Sequence, residues 1–130
     1  MTPYLNKISY LSHHDVTIVQ KQAQVLMLLI NNTPNAKGIT TGKFFEYMAA
    51  KRPILCIGIE GGDAQKIIDD TKAGLFAGFD DIAEMKKSIL YFYSKYKSGG
   101  LFSEGANIDK YSRKSLTGDL AKVLNSIMLK

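Results

Sequence analysis

Two runs of the chain, Val25–Ile30 and Ile54–Gly58, are apolar at nearly every position. Turn residues bound both, Asn31-Asn32-Thr33-Pro34 after the first and Arg52-Pro53 before the second. Unbroken apolarity over so short a length predicts strands buried on both faces, as in a parallel sheet. Ile8–Leu11 and Leu75–Ala77 read as two further short strands, the second following a Gly74 stop signal. Between them the apolar positions shift to helical spacing. Val16, Val19 and Ala23 follow Ser12, a good N-cap with Asp15 in the capping-box position. Phe44, Phe45 and Met48 follow Gly42, and Ala64, Ile67 and Ile68 follow a capping Asp63. Ile82, Met85, Ile89, Leu90, Tyr93 and Tyr96 mark a long helix capped by Asp80 or Asp81 and ended by Ser98-Gly99-Gly100. Leu116, Leu120, Val123, Leu124 and Ile127 mark the last, with Ser115 as its cap. Strands near residues 7–11, 25–30, 54–58 and 75–78, separated by helices, predict an α/β three-layer sandwich. Its parallel sheet has about four strands, joined by right-handed crossovers, with helices on both faces.

Length and composition narrow the class. A chain of 130 residues forms one domain, and 45% hydrophobic with 22% charged residues is the balance of a soluble globular protein. No apolar run reaches membrane-spanning length, and the polar start lacks a signal-peptide core, so the expected location is cytoplasmic. Cys56 is the sole cysteine and lies inside an apolar strand, which excludes an internal disulfide and a cysteine-based metal site. The net charge of +5 is uneven. Residues 1–85 carry 8 Lys/Arg against 9 Asp/Glu, a net of −1, and residues 86–130 carry 9 against 3, a net of +6. A basic C-terminal third suits an anionic membrane surface or nucleic acid, but a solvated helix face is the plainer reading. Tyr91-Phe92-Tyr93-Tyr96 beside Lys95 and Lys97 is better read as core than as a stacking platform.

Candidate chemistry concentrates in Thr40–Gly58, which reads as loop, short amphipathic helix, Pro turn and buried strand. That order brings a helix N-terminus and a strand C-terminus to one edge of a sheet, where open α/β folds bind ligands. Gly42 lets a ligand approach the backbone, first-turn N–H groups attract an anion, and Lys43 adds a cation. Glu46, three residues on, shares a helix face with Lys43. The pair would suit a diphosphate joined to a ribose, and it would equally suit an exposed ion pair. The preceding loop holds Gly38, Thr40 and Thr41 without Walker spacing, and Gly61-Gly62 forms a tight turn after the second buried run. The adjacent His13 and His14 diverge on their helix and have no metal-ligand spacing.

The string TGKFFEYMAAKRPIL resembles the K-x-x-E-Y-x-A-x-x-[RK]-P-[IV] segment of GT-B glycosyltransferases of the bacterial polysaccharide and glycogen synthase type. The likeness continues loosely through Gly61-Gly62-Asp63, Ala73–Phe76 and Asp80-Asp81, and residues 1–35 fit in outline. The resemblance implies a Rossmann-like fold and a nucleotide-sugar site at Gly38, Thr40, Thr41, Gly42, Lys43, Glu46, Gly61 and Gly62. Glu46 would hold the ribose hydroxyls, and the loop before it would face the diphosphate and the transferred sugar. Where many members carry a further Glu near the donor sugar, this chain has Gly38, so backbone N–H groups from Lys37 to Gly42 would take its place. A GT-B enzyme has two such domains, and this chain matches most of the C-terminal one, as an excised or truncated piece that would be inactive alone. The acceptor, a saccharide or a lipid-linked sugar, would sit on the absent N-terminal domain, with peripheral contact at the inner membrane face as an option. The donor is a substrate, and neither a cofactor nor a metal is expected.

No residue of the chain reads as a catalytic group. Asp69 and Asp70 look like a solvated helix end, and no triad or zinc signature is present. Two other functions compete with a glycosyltransferase, a non-catalytic Rossmann-like or flavodoxin-like binding module and, behind it, a nucleic-acid-binding domain. Neither needs Glu46 beside Lys43. Missing partner surface predicts exposed apolar residues at the end of the chain, with Met128 and Leu129 as candidates.

Overall fold

The computed structural model describes residues 3–128. It is an α/β fold with a three-stranded parallel sheet, β1 (Leu26–Leu29), β2 (Ile54–Gly58) and β3 (Gly74–Gly78), in the order β1-β2-β3. Leu26 pairs with Ile54 and Ile54 with Gly74, so the strands run in register from a common start. Five α-helices accompany the sheet, α1 (His13–Gln22), α2 (Gly42–Ala49), α3 (Asp63–Thr71), α4 (Ile82–Lys97) and α5 (Arg113–Met128). The arrangement is compatible with a Rossmann-like fold.

The apolar run of β2 is explained by its central place. Ile54 and Cys56 belong to the core formed with Phe44 and Met48 of α2 and Ile67 and Ile68 of α3. Leu55, on the opposite face, meets α4 through Phe92. Both faces of β2 are therefore covered, and burial pushes the Cys56 thiol up to about 12, leaving it protonated and inert.

Several expectations fail, for physical reasons. Residues 7–11 form no strand, because the three-stranded sheet gives their backbone no partner ladder and nearly all of them lie exposed. The sheet thus has three strands, not about four. The run Val25–Ile30 is not a central strand buried on both faces. As β1 it is an edge strand, with Leu26 and Leu28 buried but Met27 62% and Leu29 58% exposed. The long-helix stripe is rotated. Ser88 and Phe92 of α4 face the sheet, whereas Ile82, Ile89, Leu90, Tyr93 and Tyr96 are exposed, since the sheet beneath that side has no further strand. All five apolar positions of the last helix's stripe are exposed, and α5 buries no residue at all. Met128 is exposed as expected, and Leu129 lies outside the described residues.

Helix ends follow local chemistry. Ser12 Oγ accepts from the Asp15 N–H at 3.2 Å and donates to the Asp15 carboxylate at 2.6 Å. Asp81, the cap of α4, accepts from the Glu84 N–H at 2.9 Å. Ser112 caps α5 in place of Ser115, accepting from the Ser115 N–H at 3.2 Å. Gly62 is the N-cap of α3, with Asp63 inside the first turn and ion-paired to Lys66 at 2.8 Å. α3 ends on Lys72 in the left-handed region, and Gly74 already belongs to β3.

Ser88 is buried on α4 with no hydrogen-bond partner for its hydroxyl. An unpaired buried hydroxyl costs about 1–3 kcal/mol. Ser88→Ala is therefore expected to leave stability unchanged or to raise it by up to about 1 kcal/mol. A urea melt of the variant checks this, and a loss of stability would show that the hydroxyl has a partner in solution.

Candidate functional site

The C-terminal ends of the strands gather the loop after β1, the N-terminus of α2 and the loop after β2. The chain leaves β1 through residues 30–41, makes a 3-10 turn at Ala36–Gly38 and enters α2 at Gly42. Thr41 is the N-cap of α2 but makes no capping hydrogen bond, and its buried hydroxyl has no partner. The Phe44 N–H is satisfied by the Thr41 carbonyl at 3.0 Å. No side chain caps the N–H groups ahead of it, unlike those of α1 and α4. A Cβ on Gly42 would meet nothing within 4 Å, so this helix end opens to space. An uncapped helix N-terminus carries partial positive charge, and the exposed Lys43 adds a full one.

A hollow of about 370 Å³ lies at this end of β1, lined by Leu28, Leu29, Asn31, Ile39, Thr41, Gly42 and Lys43. Glu46 opens elsewhere. It lines a crevice of about 500 Å³ between α2 and the start of α5, with Phe45, Met48, Ile108, Tyr111 and Arg113. Gly42 borders both spaces, so the two meet at the first turn of α2. Glu46 and Lys43 thus open onto two different hollows that share Gly42. Glu46 is exposed, and Gln20 Nε2 donates to its carboxylate at a long 3.5 Å. Lys43 forms none of the ion pairs found among the described residues, which leaves both charges available to a ligand.

The other predicted residues sit around this centre without lining it. A Cβ on Gly62 would lie 3.3 Å from the Lys37 carbonyl, so the loop after β2 abuts the 3-10 turn before α2. Gly61 has a φ of +70°, and its N–H is taken by Gln65 at 2.8 Å. Gly38 and Thr40 line neither hollow. A third hollow of about 500 Å³, between the ends of β2 and β3, is lined by Glu60, Asp80 and Asp81. Among the described residues no group of His, Cys, Asp and Glu forms a metal-binding set, and no helix is long and apolar enough to cross a membrane.

Arg113 and Tyr111 beside Glu46 are the residues that sequence reasoning missed. They come from the far end of the chain, Tyr111 on a 3-10 turn (Ile108–Tyr111) and Arg113 at the start of α5 just after it. That turn is held by Asp70 at the end of α3, which forms an ion pair with Lys110 and accepts from Tyr111 Oη at 3.0 Å. The Lys110 hydrogen bond lowers the Asp70 pKa despite opposing desolvation, with Tyr111 helping, and the same bond raises Lys110. The signs define a window. The Asp70 contribution is present above the unfolded carboxylate value and is lost as pH falls through the lower folded one. The Lys110 contribution is present below its unfolded value and is lost as pH rises through the higher folded one. Asp70→Asn is accordingly expected to lower Tm at pH 7, with the difference from wild type shrinking as pH falls from the unfolded carboxylate value through the lower folded one. Thermal melts of both proteins across pH check it.

Compared with models of protein families, with curated proteins and with solved structures, the chain matches none.

Proposed function

We propose that this chain is the nucleotide-sugar donor-binding domain of a GT-B glycosyltransferase, Rossmann-like in fold, working with an N-terminal domain that holds a saccharide or lipid-linked acceptor. The observation that carries the reading is the uncapped N-terminus of α2 at the C-terminal edge of the sheet, with an exposed carboxylate one turn further on. The diphosphate binds the free N–H groups of Gly42 and Lys43 and the Lys43 ammonium. One turn advances about 5.4 Å along the helix, the order of the distance from a 5′-phosphate to the ribose hydroxyls. Glu46 accepts from both hydroxyls, which are donors to an ionised carboxylate. The resemblance of residues 41–55 to the donor-binding segment of such enzymes supports the same assignment. Arg113, on the rim of the crevice beside Glu46, adds a cation within reach of the ligand. Cytoplasmic location and peripheral membrane contact belong to this reading as well.

A domain of this kind binds UDP, GDP or ADP weakly by itself. Glu46→Ala removes a charge-assisted acceptor and is expected to cost about 1.5–3 kcal/mol, roughly ten- to a hundredfold in Kd. Because Glu46 is exposed, Tm should not move. Calorimetric titration of both proteins with the three nucleotides tests it, and equal affinities would remove Glu46 from the site.

A further inference from the structure

The crevice beside Glu46 has a lining that the diphosphate and ribose contacts do not use. Phe45 and Met48 of α2 share it with Ile108 and Leu116 around a space of about 500 Å³, the size of a pocket for a small organic ligand. Most of its wall is apolar. Two charged side chains, Asp109 and Arg113, line the same space from positions four residues apart, and both are exposed. Neither forms any of the ion pairs found among the described residues. The hydroxyls beside them are engaged, since Tyr111 Oη donates to Asp70 and Ser112 Oγ accepts from the Ser115 N–H. Asp109 thus offers a ligand an acceptor, and Arg113 offers it a fork of donors.

We infer that this crevice holds the base of the nucleotide and that Asp109 and Arg113 select guanine, so that the donor is a guanosine diphosphate sugar. The inference rests on the proposed placing of the diphosphate at Gly42 and of the ribose at Glu46. Gly42 borders both hollows, so a ligand anchored there with its ribose on Glu46 carries its base into the crevice. The ring faces bury against Phe45, Ile108 and Leu116, which leaves the polar edge to the charged pair. Guanine suits that pair. Its O6 and N7 accept side by side, matching a guanidinium fork, while the neighbouring N1–H and N2 amino group donate to a carboxylate. Adenine sets an amino donor next to N7, so the Arg113 fork would meet another donor. Uracil flanks its single N–H with two carbonyls, and the Asp109 carboxylate would meet their lone pairs.

Calorimetric titration of the full chain with GDP, UDP and ADP tests this, with Asp109→Asn and xanthosine diphosphate as a matched exchange. Wild type is expected to bind GDP roughly ten- to a hundredfold more tightly than either other nucleotide. Inosine diphosphate, which lacks the N2 amino group, should bind it more weakly than GDP. Asp109→Asn should lose the preference for GDP and gain one for xanthosine diphosphate, whose C2 carbonyl accepts from the new amide. A role limited to holding the turn would not exchange one base for another. Arg113→Met should bring GDP down to the level of ADP, and Tm should hold in both variants because both side chains are exposed. Equal affinity for the three nucleotides, or a preference for UDP or ADP, with Glu46→Ala weakening all of them, overturns the guanine assignment and keeps the diphosphate and ribose site. Absence of binding by any nucleotide overturns both.

Discussion

Gly74→Ala is expected to cost more than about 4 kcal/mol, enough to leave a domain of ordinary stability largely unfolded at 37 °C. A Cβ at position 74 would stand 1.8 Å from the Ile54 carbonyl oxygen, 2.6 Å from its carbon and 2.7 Å from the Ile54 nitrogen. All three are backbone atoms of the central strand, so no flexible side chain can move aside. Gly74 pairs with Ile54 at the start of the β2–β3 ladder, and the only relief is to part the strands there. Parting them exposes Ile54, which is fully buried, and loosens the seat of α4 on β3. Gly118→Ala is the matched control. It lies on exposed α5 with nothing near its would-be Cβ, and should gain about 0.8–1 kcal/mol from helix propensity. Urea denaturation followed by circular dichroism compares the two. A normal transition for Gly74→Ala would contradict the close approach of β3 to β2.

Phe44→Ala should cost about 3–5 kcal/mol and abolish nucleotide binding together with it. Phe44 is 0% exposed and joins Met48 in seating α2 on β1 and β2, with its ring edge-on to Phe45 at 6.0 Å between centroids. Emptying that volume leaves a cavity beneath the first turn of α2, whose position sets the relation of Gly42 and Lys43 to Glu46. The contrast with Glu46→Ala is informative. The exposed carboxylate should carry binding without stability, and the buried ring next to it should carry both. An unfolding free energy for Phe44→Ala within about 1 kcal/mol of wild type would contradict the assigned packing.

Much of this architecture is legible in the sequence. β2 lies wholly within its apolar run because it is covered on both sides, and caps such as Ser12 and Asp81 declare themselves through side-chain chemistry three residues ahead of a bonded N–H. β1 misleads for an instructive reason. Val25–Ile30 has the composition of a central strand, but composition records what could be buried, and the open side of β1 leaves Met27 and Leu29 in water. Helix phase on α4 fails likewise, since a small Ser88 faces the sheet while larger apolar side chains do not. For the site, local order placed Gly42, Lys43 and Glu46 on one helix end. The crevice beside Glu46 was not legible, because it depends on Asp70 capturing Lys110 and Tyr111 from a distant segment.

The central claim is that the first turn of α2 and Glu46 hold a nucleoside diphosphate. Amide chemical-shift mapping of the isotope-labelled chain, titrated with UDP, GDP and ADP, tests it most directly. The account predicts saturable shifts confined to residues 39–46 and the segments touching them, largest at Gly42 and Lys43, and weakened in Glu46→Ala. Shifts that leave the α2 N-terminus untouched and gather instead on the basic segment from Lys95 to Arg113 would contradict it.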